Sequence, residues 1–236
     1  MVEGFKITAE KIKRILKLAV HLPNDYYSNN KQYPLLLVFE GGLFFSFFNE
    51  ENLSLDFKTI LDDYDKDIIT IGLFSPRLNE WNISELNPYY SGDISGVDTS
   101  YSSIFFDYIT NELIPLLKQK YRFNDNISIM GYNVGAISII PLLSRYEIYK
   151  KGLIYSLDFT EVNDLILDDV KRINNKELYI YQGEINMSLD EINKFSKLEK
   201  ILTDNESNII KIDYDQQSAN TIDDIKKYIV NGLELI

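Results

Sequence analysis

The sequence predicts an α/β fold: a mostly parallel central sheet with helices on both faces, a three-layer αβα sandwich. Three observations carry this expectation. Residues 33–39 (Y-P-L-L-L-V-F) and 67–73 (D-I-I-T-I-G-L) are short and almost continuously apolar, as strands are when both faces of their sheet are covered. Strand-like and helix-like segments alternate to the last residue, the order that builds right-handed parallel crossovers. Residues 126–140, N-I-S-I-M-G-Y-N-V-G-A-I-S-I-I, join a buried strand to an apolar helix through a turn with two glycine pivots.

Taken in order, residues 5–21 are ambiguous between a helix from Thr8 and two extended segments, with alternation over residues 17–22 favouring a strand at the end. Residues 23–30 read as a loop. The strand over 33–39 closes at Glu40-Gly41-Gly42, and an apolar turn over 44–48 leads to a helix over 53–61, where Leu53, Phe57 and Leu61 share a face. After the strand over 67–73, residues 75–98 hold two prolines and two glycines with little periodicity. Long loops at the C-terminal edge of a parallel sheet commonly carry function. A helix is expected over 103–121, then the strand 127–130, the glycine turn and a helix from Ala136 that Pro141 kinks or ends. Strands over 152–157, 177–181 and 209–214 alternate with helices over 162–174, 189–204 and 221–235. With no internal repeat or linker, a single domain over 1–236 is expected.

An excess of 36 acidic over 24 basic residues gives a net charge of -12, whose field disfavours nucleic acid and anionic membrane as partners. The absence of cysteine removes disulfides and thiolate chemistry. No apolar run is long enough to span a bilayer and residues 1–10 lack a signal-peptide core, so a soluble, cytoplasmic protein is expected. Neither a dinucleotide glycine fingerprint nor a phosphate-binding loop occurs, and no cofactor is expected.

The ordered series H-L-P-N-D-Y, Y-P-L-L-L-V-F-E-G-G, S-P-R-L-N-E-W, Y-I-T-N-E-L-I-P-L-L-K-Q-K-Y and I-M-G-Y-N-V-G-A resembles the putative esterase family of α/β-hydrolases, the group of esterase D, tributyrin-type and enterochelin esterases. The resemblance implies an α/β-hydrolase fold and a nucleophile elbow at residues 131–135. It places Asn133 where the family carries its nucleophilic Ser. Oxyanion donors would come from the N–H groups of Val134 and the Gly42/Leu43 turn, and Glu184 lies near the place of the acidic triad member. The catalytic His would fall in residues 215–220, D-Q-Q-S-A-N, where Ser218 is the nearest candidate position and no His occurs.

Serine hydrolysis needs an attacking hydroxyl, a base and oxyanion donors. A carboxamide at Asn133 is a poor nucleophile, and the single His of the chain, His21, sits far from the expected base and reads as structural. Both losses point to a degenerate triad and a protein that binds a ligand in the old cleft or serves as a structural partner. The alternative is an active ester hydrolase with displaced residues. Ser75, Ser91, Ser95, Ser100, Ser102 and Ser103, with Asp93 and Asp98 nearby, read as solvated loop residues, and the acidic runs at Asp62, Asp63, Asp65, Asp67 and at Asp168, Asp169 as helix-end or surface charge rather than a metal site. In the cleft loop, Arg77 beside Glu80 and Trp81 either holds a carboxylate or phosphate ligand or pairs internally with Glu80 or Glu85. A homo-oligomeric scaffold is a third reading, and an exposed aromatic patch over 43–48 would be its mark.

Overall fold

The computed structural model describes residues 2–45, 55–64, 66–74, 86–88, 101–161 and 164–236. Eight strands form one sheet: β1 (Val2–Ala9), β2 (Arg14–His21), β3 (Tyr33–Val38), β4 (Ile69–Phe74), β5 (Phe123–Asn133), β6 (Tyr149–Leu157), β7 (Glu177–Gly183) and β8 (Ile209–Asp215). Their spatial order is β1-β2-β4-β3-β5-β6-β7-β8. The first two strands form an antiparallel pair, β2 runs antiparallel to β4, and β3 to β8 are parallel. The described helices are α1 (Gly41–Phe44), α2 (Phe57–Tyr64), α3 (Tyr101–Tyr108), α4 (Ile114–Lys120), α5 (Val134–Arg145), α6 (Asp164–Arg172), α7 (Leu189–Thr203) and α8 (Ile222–Leu233).

The apolar runs are explained by two cores, one on each face. Leu35 and Leu37 pair in register with Ile69, Ile71, Ile127 and Ile129, and all pack into the core that also holds Ile109, Leu113 and Ile139. Leu36 and Val38, pointing the opposite way, join Ala19, Met130, Phe57, Leu61, Ile225 and Ile229 in the second. Each buried Leu or Ile contributes about 1.5–3 kcal/mol relative to exposure, so a strand lined on both sides leaves few positions for a polar residue.

Four local expectations are sharpened or corrected. The ambiguous N-terminal segment is a hairpin: β1 pairs antiparallel with β2 from Val2–His21 to Ala9–Arg14, turning through a 3-10 turn and Lys13 at φ 50°. The helix read over 103–121 is interrupted by a π-helical turn, Ile109–Leu113. The strand read over 127–130 is longer and reaches Asn133, which pairs with Leu157. Pro141 does not end its helix, which continues to Arg145. Proline removes one intrahelical bond, yet every residue from Gly135 to Leu143 is buried, and the packing of that stretch outweighs the lost bond.

Phe44 and Phe45 are buried against Phe57, with ring centroids 5.4 and 5.7 Å away. They therefore form no exposed aromatic patch, and the stretch from Ser46 to Ser54 lies outside the described residues. Asp169 is likewise not surface charge. Its side chain is 2% exposed and pairs with Arg145 (2.5 Å) and Arg172 (3.2 Å), joining α5 to α6. Among the described residues no helix is long and apolar enough to cross a membrane.

Candidate functional site

The site is built from three strand ends. At the end of β5, Gly131-Tyr132-Asn133-Val134-Gly135 turns directly into α5, with Asn133 at φ 52° and ψ -117°. This conformation strains any residue with a side chain, and it is the strained strand-to-helix turn expected of a nucleophile elbow. The flanking glycines explain why it holds. A Cβ on Gly131 would stand 2.2 Å from the Gly135 carbonyl oxygen, and one on Gly135 would stand 2.9 Å from Cγ of Glu40. Gly131 therefore packs on the backbone of Gly135 and Gly135 on the Glu40 side chain, and the residue between is forced to the tip.

The Asn133 carboxamide does not cap the helix that follows, so it gains no capping bond in exchange for its strain. Asn133→Gly is accordingly expected to stabilise the fold by about 1 kcal/mol, because glycine accepts this backbone freely. A chemical denaturation midpoint that moves up with an unchanged m-value is the check.

Around the tip, Val134 opens α5 with its N–H at the helix start, where an anion or oxyanion is favoured. At the end of β3, Glu40 takes a left-handed conformation (φ 61°) and leads into α1. Leu43 donates its N–H to the Glu40 carbonyl at 2.9 Å, so that donor is engaged within the turn. Gly42 and Leu43 are partly buried. Glu40, whose side chain lies against Gly135, is a neighbour of the elbow that motif reading passed over, although it occupies the residue before the glycine pair.

The second and third strand ends bring in Glu184 and Ser218, the other two positions that the resemblance singles out. The hydroxyl of Tyr132 donates to the Asn220 carbonyl at 3.0 Å, tying the elbow to the loop after β8. Asn220, at φ 61°, clasps the end of β7: its Oδ1 accepts the Gly183 N–H at 2.6 Å and its Nδ2 donates to the Gly183 carbonyl at 2.8 Å. Ser218 is 1% exposed. Its hydroxyl bonds that of Tyr181 and accepts the Asn220 N–H at 3.2 Å. Glu184, just beyond β7, accepts the Tyr214 hydroxyl at 2.7 Å. Thus the fold brings residues 133, 184 and 218 to one end of the sheet, and each of the last two is held by a tyrosine.

The acid–base inventory here is poor. Burial pushes the Tyr181 hydroxyl up to about 12, against the opposing Ser218 hydrogen bond, and burial followed by the Asp158 charge raises Tyr132. Both are neutral at physiological pH. Asp224 is held down at about 2, chiefly by the Thr221 hydroxyl, as part of the capping box that starts α8. A carboxylate so acidic is a weak base.

His21 lies on β2, one strand in from the β1 edge of the sheet. It pairs with Thr70, which shares a register row with Leu36 and Ser128, three strands across from β5 and five residues upstream of Asn133. Strand spacings put it roughly 20 Å from the elbow. Its Nε2 bonds Asp62 Oδ1 at 2.8 Å, and Asp62 also binds Lys58. It lines a cavity of about 250 Å3 with Pro23, Asn24, Asp25, Lys66 and Asp67. Its Nδ1 is buried without a hydrogen-bond partner. Burial lowers its pKa below the ordinary 6.5, outweighing the opposing bond from Asp62.

As the only His, His21 is directly observable by NMR, and its ring resonances should titrate below pH 6.5. The sign follows from proton uptake. The unfolded chain binds the proton first, so the His21 contribution to stability is full above pH 6.5 and is lost as pH falls toward the folded pKa. A midpoint at or above 6.5 would contradict this burial.

The cleft-loop residues Arg77, Glu80 and Trp81 lie outside the described residues, as do Glu85, Ser75, Ser91, Ser95, Ser100, Asp65, Asp93 and Asp98. Of the two remaining serines, Ser102 is fully buried and Ser103 exposed on α3. Leu86, also buried, ties the end of that region to α5 by accepting the Ser138 hydroxyl at 2.9 Å. Among the described residues no three metal-ligating side chains converge.

The family model described as Putative esterase matches residues 9–206. The chain belongs to this esterase family. Solved structures agree on the α/β-hydrolase fold. An IroE-like serine hydrolase from Shewanella oneidensis superposes with a TM-score of 0.79 at 15% identity, over 99% of this chain and 79% of that one. An S-formylglutathione hydrolase from Agrobacterium tumefaciens gives 0.71 at 15%, over 99% and 93%. The enterobactin esterase FES from Shigella flexneri gives 0.72 at 14%, over 99% and 57%. At these identities the likeness carries the fold and leaves the chemistry to the residues of this chain. No curated protein sequence matches it.

Proposed function

We propose that this member of the esterase family is a pseudoenzyme: a single-domain protein without triad-dependent ester hydrolysis that binds a ligand, small molecule or protein segment, at the former active-site cleft. The observation that carries the reading is the joint state of the triad positions. Asn133 occupies the elbow, the loop where a base belongs is filled by the Ser218–Asn220 clasp on Gly183, and the one His lies three strands away on β2. A carboxamide held at a helix start, beside the Val134 N–H, offers both a donor and an acceptor. It therefore suits recognition of a carbonyl, amide or carboxylate rather than attack on one. A cytoplasmic setting fits the cysteine-free composition.

The hydrolase activities named for its structural relatives favour the alternative, an ester hydrolase with displaced residues. A fluorophosphonate probe separates the two. The intact mass of the treated pseudoenzyme is expected to stay unchanged, whereas a covalent adduct on any Ser, mapped by peptide mass spectrometry, would establish a displaced nucleophile.

A further inference from the structure

We infer that the outer edge of β8 is a self-association surface, pairing two copies of this chain antiparallel about Ile212. Among the described residues β8 is the last strand of the sheet and pairs only with β7. The Ile209 N–H donates to the Lys176 carbonyl at 2.9 Å and the Asp215 carbonyl accepts the Glu184 N–H at 3.0 Å, so the backbone groups of these two residues face inward. Backbone direction alternates along a strand. Lys211 and Asp213 therefore face β7 as well, and the N–H and C=O groups of Ile210, Ile212 and Tyr214 point outward, with no described strand beyond them.

Side chains sort the same way. Lys211 and Asp213 lie in register with Tyr179 and Tyr181, over the core that holds α8. Ile210, Ile212 and Tyr214 are half-buried on the other face, and Ile209 is 63% exposed. Seven residues of open, largely apolar edge are a template for another strand, and the charges decide which.

Antiparallel self-pairing sets outward-facing residues opposite one another whichever residue the dyad falls on, but a dyad at Lys211 or Asp213 places that charge directly opposite its own copy, which is destabilising, so residues 210, 212 and 214 remain. A dyad at Tyr214 sets Asp213 against Asp215, and like charges directly opposite are destabilising. A dyad at Ile210 leaves residues 212–215 without a partner inside the strand. At Ile212 the strands match over their whole length. Ile212 meets Ile212 of the second copy and Ile210 meets its Tyr214 in hydrogen-bonded pairs. Lys211 meets its Asp213, twice, in the close non-hydrogen-bonded pairs with Cα atoms about 4.5 Å apart. In the single copy Lys211 pairs with an exposed carboxylate, Glu234 at 3.3 Å. Asp213 uses Oδ2 for both the Tyr179 hydroxyl (2.6 Å) and Asn231 (2.8 Å), which leaves Oδ1 for a lysine. The strand that would invite indiscriminate pairing is thus charged so as to accept its own copy in one register.

A single strand pair is a small interface, so the dimer is expected to dissociate in the micromolar range. Sedimentation velocity of the full chain, from about 1 to about 300 μM, reads the association. The species should move reversibly from the 27.5 kDa monomer to twice that mass. Ile212→Pro removes an outward N–H that the ladder to β7 does not use. It should remain monomeric throughout with an unchanged far-UV circular dichroism spectrum. Lys211→Asp turns both attractive pairs into repulsive ones and should weaken the dimer about tenfold or more. Wild-type protein that stays monomeric at the highest concentration would overturn the proposal, as would a folded Ile212→Pro that dimerises normally. Should Ile212→Pro fail to fold, an unchanged affinity for Lys211→Asp overturns it equally.

Discussion

Gly131→Ala is expected to destabilise the protein by about 3 kcal/mol or more, and to lower its Tm by about 6–12 °C for a chain of this length. The added methyl would meet three atoms of the Gly135–Ala136 backbone at 2.2, 2.4 and 2.7 Å. None is the end of a flexible side chain that can swing aside. Relief requires β5 to separate from α5, and β5 lies inside the sheet, hydrogen-bonded to β3 and β6. Paired with the stabilising Asn133→Gly, the substitution tests whether the elbow is held by the packing of its glycines while its tip residue bears the strain. A Gly131→Ala protein with wild-type stability would mean that the turn relaxes without the close approach of Gly131 to the Gly135 backbone.

Restoring the nucleophile alone is expected to restore almost nothing. In a serine protease, removing Ser or His alone costs about as much as removing the whole triad, roughly 2 × 10⁶ in kcat. Triad members act as a unit, so Asn133→Ser supplies a hydroxyl without the base that activates it. Three of the groups at this end of the sheet do not substitute: Tyr132 and Tyr181 are neutral phenols and Asp224 is too acidic. Nor would a base fit easily at Ser218, the position that the resemblance offers for one. Ser218 is buried against Tyr181, and its hydroxyl oxygen lies 2.8 Å from where a Cβ on Gly183 would stand, which leaves no room for an imidazole. The Asn133→Ser variant should hydrolyse activated esters within about tenfold of the wild-type protein. A gain of about three orders of magnitude or more would reveal a base not identified among these groups.

Much of the architecture is legible in the sequence, for a physical reason. A strand covered on both faces admits apolar residues at nearly every position, so residues 33–39 and 67–73 announce a central sheet without help from neighbours. Glycines required by close packing are also legible, and the pair at 131 and 135 marks the tight turn between β5 and α5. Features that depend on tertiary packing are hidden. Pro141 reads as a helix kink or end because local rules weigh its missing N–H, whereas burial of the surrounding turns carries the helix on to Arg145. The Lys-rich N-terminal segment fits two periodicities, and only pairing with β4 through β2 selects the hairpin.

The candidate site is legible in part. Its composition, with Asn at the tip and no His in the last loop, can be read directly. The contacts that fill the loop cannot: the clasp of Asn220 on Gly183 spans 37 residues, and the bond from Tyr132 to Asn220 spans 88. Neither leaves a periodic or motif signal. The same holds for His21 and Asp62, 41 residues apart, where only the fold shows that the histidine is buried far across the sheet from the elbow.

The central claim is that the elbow of this esterase-family chain no longer performs triad hydrolysis. Its most direct test is steady-state hydrolysis of short-chain p-nitrophenyl esters by purified wild-type protein beside Asn133→Ala. Rates near the uncatalysed background, without saturation and equal in the two proteins, are predicted. Saturable turnover by the wild-type protein that Asn133→Ala abolishes would contradict the claim.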